Sequence, residues 1–291
     1  MKELIFTNDT SGSMTLEKFL RSEKSVSKRL ITKLKQQPMG ITRDGLLIRT
    51  IDNVNPGDTI RLLIDDKDIQ TANSSVYVPV AYENDSFVVF NKPRNMPVHP
   101  SIKHRDDTLG NYFSYLYPDC SFRPVNRLDR NTSGLCLAAK DPHTAAILQK
   151  SVEKTYYALV CGKVEKDGVI DAPIGRLKES IIKRGVCESG QRAVTHYSVV
   201  SVCDKYTFVR VKLETGRTHQ IRVHFSWKGH PLAGDDMYGG SCEDITGQAL
   251  HCGEMIINDS VAQKIIEVKA PLNEEMAGLM RKYSMKWNDI V

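Results

Sequence analysis

The chain has 291 residues, 41% of them hydrophobic, with 40 Lys and Arg against 35 Asp and Glu for a formal net charge of +5. That apolar content is ample for a core, the length suggests about two domains, and no apolar run is long enough to span a bilayer. The charge surplus alone is too modest to name a partner. The N-terminus MKELIFTNDT lacks the hydrophobic segment of a signal peptide, and seven cysteines scattered from Cys120 to Cys252 suit reduced thiols, so the expected compartment is the cytoplasm.

From the N-terminus, Leu16, Phe19 and Leu20 share one helical face, and Leu30, Ile31 and Leu34 share another. Between residues 18 and 35 stand Lys18, Arg21, Lys24, Lys28, Arg29, Lys33 and Lys35 against the single Glu23. Such clustering suits phosphate, although a solvated lysine-rich face has the same composition. A short strand at Leu46 to Thr50, an NPGD turn at Asn55 to Asp58 and a strand at Ile60 to Ile64 complete a small unit, residues 1–65. The polar tract from Asp65 to Ser75 reads as a linker, so residues 66–78 separate this unit from a larger domain at 79–291.

In the larger domain, strand-like runs are expected at Ser86 to Phe90, Leu135 to Ala139, Thr155 to Val160, Ala193 to Val202, Thr207 to Leu213 and His219 to Phe225. Helices are shorter and fewer. One is expected at Pro142 to Ser151, with Asp141 as its N-cap and Pro142 in the first turn, and another at about Leu272 to Tyr283. The class is α+β, with a mixed, largely antiparallel sheet. Gly168 to Gln191, rich in Gly, Lys and Arg, reads as an exposed excursion.

Two segments carry chemistry. RLDRNTSG, Arg127 to Gly134, sets the carboxylate of Asp129 between two arginines ahead of a sharp turn. A nearby cation lowers an Asp pKa by roughly 1–3 units, so Asp129 is expected to be an anion, although a surface Arg–Asp pair before a turn reads the same way. TGRTHQIRVH, Thr215 to His224, follows the alternating strand Thr207 to Leu213. In the strand expected there, Ile221, Val223 and Phe225 point one way and Gln220, Arg222 and His224 the other. Arg217 and His219 lie at the turn end, within reach of a polyanion.

At these residues the chain resembles the RluA-type family of RNA pseudouridine synthases. Blocks similar to the family's follow one another in its order: VVFNKPRNMPVHPS from Val88, RPVNRLDRNTSG, KTYYALVCG from Lys154, TGRTHQIRVH, GHPLAGDDMYGG from Gly229, and ALHC from Ala249. The resemblance implies that Asp129 is the catalytic aspartate, Tyr156 the tyrosine against the target base and Arg222 the arginine paired with Asp129. Arg217 is a rival for that pairing, but its turn position suits phosphate better. Lys92, Arg127, Arg130, His219 and Gln220 are then candidates for RNA contact, as are Lys28, Arg29 and Lys33 in the N-terminal unit.

The reaction requires no metal or cofactor, only a uridine flipped out of its stack into a cleft across the sheet. Tyr156 would pack on the uracil and exchange a proton at C5. The N-terminal unit resembles an S4-type RNA-binding module, although GITRDG, Gly40 to Gly45, departs from that module's usual turn. Asn126 stands where the family often has His before RLD, and Gly247 and Gln248 stand where it usually has an arginine upstream of the ALHC block.

Other classes fit less well. A zinc hydrolase built on His219, His224, His230 or His251 with Cys252 lacks the spacing of HExxH and any CxxC pair, and no glycine-rich nucleotide loop follows a strand. A non-catalytic RNA-binding protein on the same scaffold is the alternative. The expected partner is RNA, ribosomal before transfer RNA, and the expected state is a monomer.

Overall fold

The computed structural model describes residues 2–65, 70–177, 180, 182–259 and 263–287. The N-terminal unit comprises β1 (Lys2–Thr7), β2 (Met14–Thr15), α1 (Leu16–Lys18), a π-helical turn Phe19–Glu23, α2 (Lys28–Lys35), β3 (Ile41–Arg43), β4 (Leu46–Leu47), β5 (Asn53–Val54) and β6 (Thr59–Ile64). Its antiparallel sheet runs β1-β6-β3-β4, with β2 paired to β5. Both helical faces read from the sequence are buried against this sheet, in a core of their own with Val54, Ile60, Leu62 and Ile64. Ser27 caps α2 by accepting the Leu30 amide. The expected strand at Leu46 to Thr50 is shorter: after the tight hairpin at Asp44 and Gly45, φ 49° and 82°, only Leu46 and Leu47 pair with the three-residue β3, and the chain turns again where the Asp52 amide donates to the Arg49 carbonyl at 3.0 Å. β1 was not expected from the sequence.

The larger unit comprises β7 (Val80–Glu83), β8 (Phe87–Lys92), α3 (Leu109–Leu116), β9 (Arg123–Pro124), β10 (Ser133–Ala139), α4 (Pro142–Leu148), β11 (Val152–Cys161), β12 (Gly168–Asp171), β13 (Ile174–Arg176), β14 (Arg184–Val186), β15 (Val194–Val202), β16 (Tyr206–Leu213), α5 (Gln220–Trp227), a 3-10 turn Asp236–Tyr238, β17 (Leu250–Asp259), β18 (Lys264–Lys269) and α6 (Glu274–Lys282). Its sheet is ordered β12-β15-β16-β11-β17-β10-β8-β7, with β18 on β17 and β9 on β10. Every pairing is antiparallel except β10 with β17, so the α+β class with a mixed, largely antiparallel sheet holds. All seven residues of β10 are buried, which explains its unbroken apolar run. Asp141 caps α4 as expected, accepting the Thr144 amide at 2.8 Å, and also meets Lys2 of the first unit at 2.8 Å.

Three expectations need correction. The segment after His219 is the helix α5, not a strand. Its residues Gln220 to Phe225 are all buried, so no apolar stripe at helical spacing survives to reveal it, and Ile221 and Val223 add a strand-like bias. Gly168 to Gln191 is no simple exposed excursion: it supplies β12 to the large sheet and the β13–β14 hairpin beside α5. Residues 66–69 of the expected linker lie outside the described residues, and the rest of it is tethered to the larger unit. The Asn111 amide donates to the Thr71 carbonyl at 2.8 Å, Asn73 donates to that of Asp106 at 2.7 Å, and Val78 is fully buried.

Candidate active site

Asp129 lies in the turn between β9 and β10, where the Thr132 amide donates to its carbonyl at 3.0 Å. The chain then runs close against β17. Gly134 sits at φ 100°, and a Cβ there would strike the Cys252 carbonyl, so only glycine lets the turn close onto the parallel β10–β17 pair. Asn126 braces the approach, donating to the Leu135 carbonyl at 3.1 Å and accepting the Leu137 amide at 2.8 Å. From below, the fully buried Lys92 ammonium donates to the carbonyls of Pro93, Met96 and Arg130 at 2.8, 2.8 and 3.1 Å.

Although α5 is a helix, it delivers Arg222 to the aspartate. The Arg222 guanidinium donates from Nη1 to Asp129 Oδ2 at 2.8 Å, and from Nε and Nη2 to the two oxygens of Asp235 at 2.7 and 2.8 Å. Arg222 is 5% exposed and Asp235 is completely buried. Burial works against the guanidinium's charge, but the bond to Asp235 and the charge of Asp129 outweigh it and raise its pKa further. The fork fixes the direction of the third N–H, and the Tyr238 ring lies 4.9 Å from the guanidinium carbon.

Tyr156 on β11 stands opposite Val211 of β16 and Cys252 of β17, just past a register shift between Thr155 and Tyr156. Bulges of this kind re-aim a side chain. Tyr156 is 8% exposed, and burial, then Cys252, Cys136 and Asp129, push its phenol well above the usual value. A cleft of about 990 Å³ passes over this floor, lined among others by Arg127, Asp129, Arg130, Tyr156, Arg217 and His219. A recess of about 70 Å³ in its floor brings Asp129, Tyr156, His219 and Arg222 together.

The other residues singled out by sequence divide sharply. Arg127 is exposed on the cleft; Arg130 is exposed and bonded to Asn95 at 2.8 Å; Arg217 is exposed and donates to the Arg192 carbonyl at 3.0 Å. Of the two rival arginines, Arg222 alone meets Asp129. Lys92 is a correction: its ammonium is spent on three carbonyls away from the cleft, and burial brings its pKa down to about 8. Gln220 is another. It is buried, accepts from Thr215 and the Arg217 amide at 2.9 Å each, and donates to the Val194 carbonyl at 3.0 Å and to Thr195 at 3.1 Å, so it shapes the turn and offers nothing to a ligand. Lys28, Arg29 and Lys33 are exposed on α2, in the other unit.

Asp235, Tyr238 and the cleft residue Lys154 were missed, although all three lie inside blocks that the sequence reading quoted. At Gly247, where the chain departs from the family's usual arginine, the Arg94 guanidinium donates to the Gly247 carbonyl at 2.7 Å and to that of Asn131 at 3.3 Å. Both ring nitrogens of His224 are engaged, with Thr195 at 2.8 Å and the Ala172 carbonyl at 2.9 Å. Among the described residues, no group of three or more His, Cys, Asp or Glu is disposed to hold a metal ion. Nor is any helix among them long and apolar enough to cross a membrane.

The family described as RNA pseudouridylate synthase matches residues 86–227, which include Asp129, Tyr156 and Arg222. The RNA pseudouridine synthase YjbO of Bacillus subtilis (strain 168), itself named as uncharacterized, is 35% identical over 280 residues, covering 92% of this chain and 99% of its own. Ribosomal large subunit pseudouridine synthase D of Pseudomonas aeruginosa is 35% identical over 264 residues, covering 82% of each. Among solved structures, human RNA pseudouridylate synthase domain containing 1 superposes with a TM-score of 0.58 at 25% identity, covering 76% of this chain and 100% of that one. Identity at this level along nearly the whole length of both partners makes the chain a member of the RluA-type RNA pseudouridine synthases, enzymes that isomerise uridine in RNA.

Proposed function

We propose that this synthase acts on ribosomal RNA and that Asp129 is its catalytic carboxylate, steadied by Arg222 beneath a uracil stacked on Tyr156. The observation that carries this reading is the 2.8 Å Arg222–Asp129 pair in the floor of a cleft wide enough for a nucleotide. Isomerisation breaks the N1–C1′ bond, turns the uracil in place and joins C5 to C1′; C5 loses a proton and N1 gains one. Asp129 takes part either by attacking C1′ or by removing a ribose proton. Both routes need an aimed carboxylate with one oxygen open to the sugar, and Arg222 occupies only Oδ2. The raised pKa of Tyr156 keeps it a neutral phenol, which favours packing on the base over removing the C5 proton.

The ribose is reached only when the nucleotide leaves its stack, at about a few kcal/mol, so uridines in loops and bulges are the natural targets. Arg127, Arg130 and Arg217 at the rim are suited to the flanking phosphates. Residues 1–65 form an S4-like module that adds affinity through Lys28, Arg29 and Lys33, ahead of the catalytic domain, and the protein works as a cytoplasmic monomer without a cofactor. Support for a ribosomal substrate comes from relatives named as acting on the large ribosomal subunit. Mapping pseudouridines in RNA from cells with and without the protein tests the substrate. The expected result is the loss of specific sites in ribosomal RNA; losses confined to transfer RNA would overturn it.

A further inference from the structure

Beside the Asp129–Arg222 pair stands an imidazole whose surroundings allow one arrangement of its proton. His219 precedes α5 at φ 58° and ψ 20°, a left-handed conformation that persists in a side-chain-bearing residue only where its surroundings fix it. Its Nδ1 lies 2.8 Å from the Tyr238 hydroxyl, and its Nε2 faces Asp129 Oδ2 at 3.7 Å. The Tyr238 oxygen already accepts the Arg184 amide of β14 at 3.0 Å.

If His219 Nδ1 also donated to that oxygen, the phenolic proton of a residue only 6% exposed would be left without an acceptor among the described residues. Turning the O–H toward Nδ1 satisfies the phenol and Nδ1 together. Nδ1 is then the acceptor, and the single proton of the neutral imidazole sits on Nε2. The opposite tautomer would turn a lone pair toward a carboxylate. Burial holds His219 below the usual imidazole range, with Asp129 and Asp235 pulling up and Arg222 and Arg184 pushing down.

We propose that Tyr238 sets the tautomer of His219, so that an Nε2–H points at Asp129 Oδ2, the oxygen that Arg222 also holds, and Oδ1 is left for the ribose. The inference rests on Asp129 being the catalytic carboxylate. His219 and Tyr238 are positioning residues. The 3.7 Å gap exceeds a hydrogen bond, and contacts of this kind tighten when substrate is bound.

Selective ¹⁵N labelling of histidine in the full-length protein reads the tautomer directly, with the His219 signals assigned by their absence from His219→Gln. Near neutral pH the wild type should show Nε2 protonated and Nδ1 bare. In Tyr238→Phe, which keeps a ring over Arg222, the Nδ1–H form should appear, and kcat should fall about 10-fold with KM for RNA within about twofold. A wild-type His219 protonated on Nδ1 overturns the proposal without any substitution. So does a Phe variant with an unchanged tautomer, or one with a changed tautomer and undiminished kcat. An active Asp129→Asn enzyme would instead remove the reading of Asp129 and leave the tautomer assignment standing.

Discussion

The floor of the cleft and the exposed face of α2 are both rich in charge, and they hold it in opposite ways. Arg222 is buried between two aspartates, with three N–H groups aimed, whereas Lys28, Arg29 and Lys33 stand in solvent. A desolvated guanidinium needs its partners to remain buried at all, and in return it fixes a carboxylate in one direction. Solvated lysines fix nothing; they contribute attraction that salt screens. On the proposed reading, charge does chemistry in the first place and supplies affinity in the second.

The contrast breaks most visibly at Arg222. Arg222→Met should lower single-turnover isomerisation by about 10²–10³-fold and, by stranding Asp235, cost about 3–5 kcal/mol in urea unfolding. Arg222→Lys keeps the charge without the fork and should recover stability better than rate. A Met variant as stable as Lys28→Met would erase the distinction.

Acid should expose the buried side next. His251 on β17 accepts from Ser133 at 2.8 Å and donates to the Ala270 carbonyl at 3.3 Å, and burial lowers its pKa from 6.5 to about 4. The unfolded chain therefore binds this proton first, so stability is fully present above the unfolded value of 6.5 and falls as pH drops toward about 4, by up to roughly 3 kcal/mol from this group. Unfolding titrations across that window should show the loss, and His251→Gln should flatten it. An equally steep slope in the variant would place the acid sensitivity elsewhere.

The smallest effect belongs to the solvated face. Lys28, Arg29 and Lys33 replaced together by Glu should weaken RNA binding and reduce the salt slope by about 3, roughly one per phosphate contact, with kcat unchanged. Unaltered affinity and slope would remove the N-terminal unit from RNA binding.

How much of this was legible in the sequence follows the same division. Asp129, Tyr156 and Arg222 were named from ordered motifs, and the Asp141 cap and the alternating strand Thr207 to Leu213 were read because local rules govern them. What misled was burial on all sides. α5 looked like a strand because its polar residues are as enclosed as its apolar ones, and Lys92 and Gln220 looked like ligand contacts because nothing in a sequence reveals that backbone groups and neighbouring hydroxyls have claimed a side chain. Asp235 and Tyr238 were missed for a related reason: their partners, Arg222 and His219, lie more than a dozen residues away.

The central claim is most directly tested by measuring pseudouridine formation and RNA binding by Asp129→Asn. The substitution keeps the size of the side chain and removes its charge. The account predicts no isomerisation above background, with RNA affinity unchanged or tighter; conversion of uridine by the Asp129→Asn enzyme would contradict it.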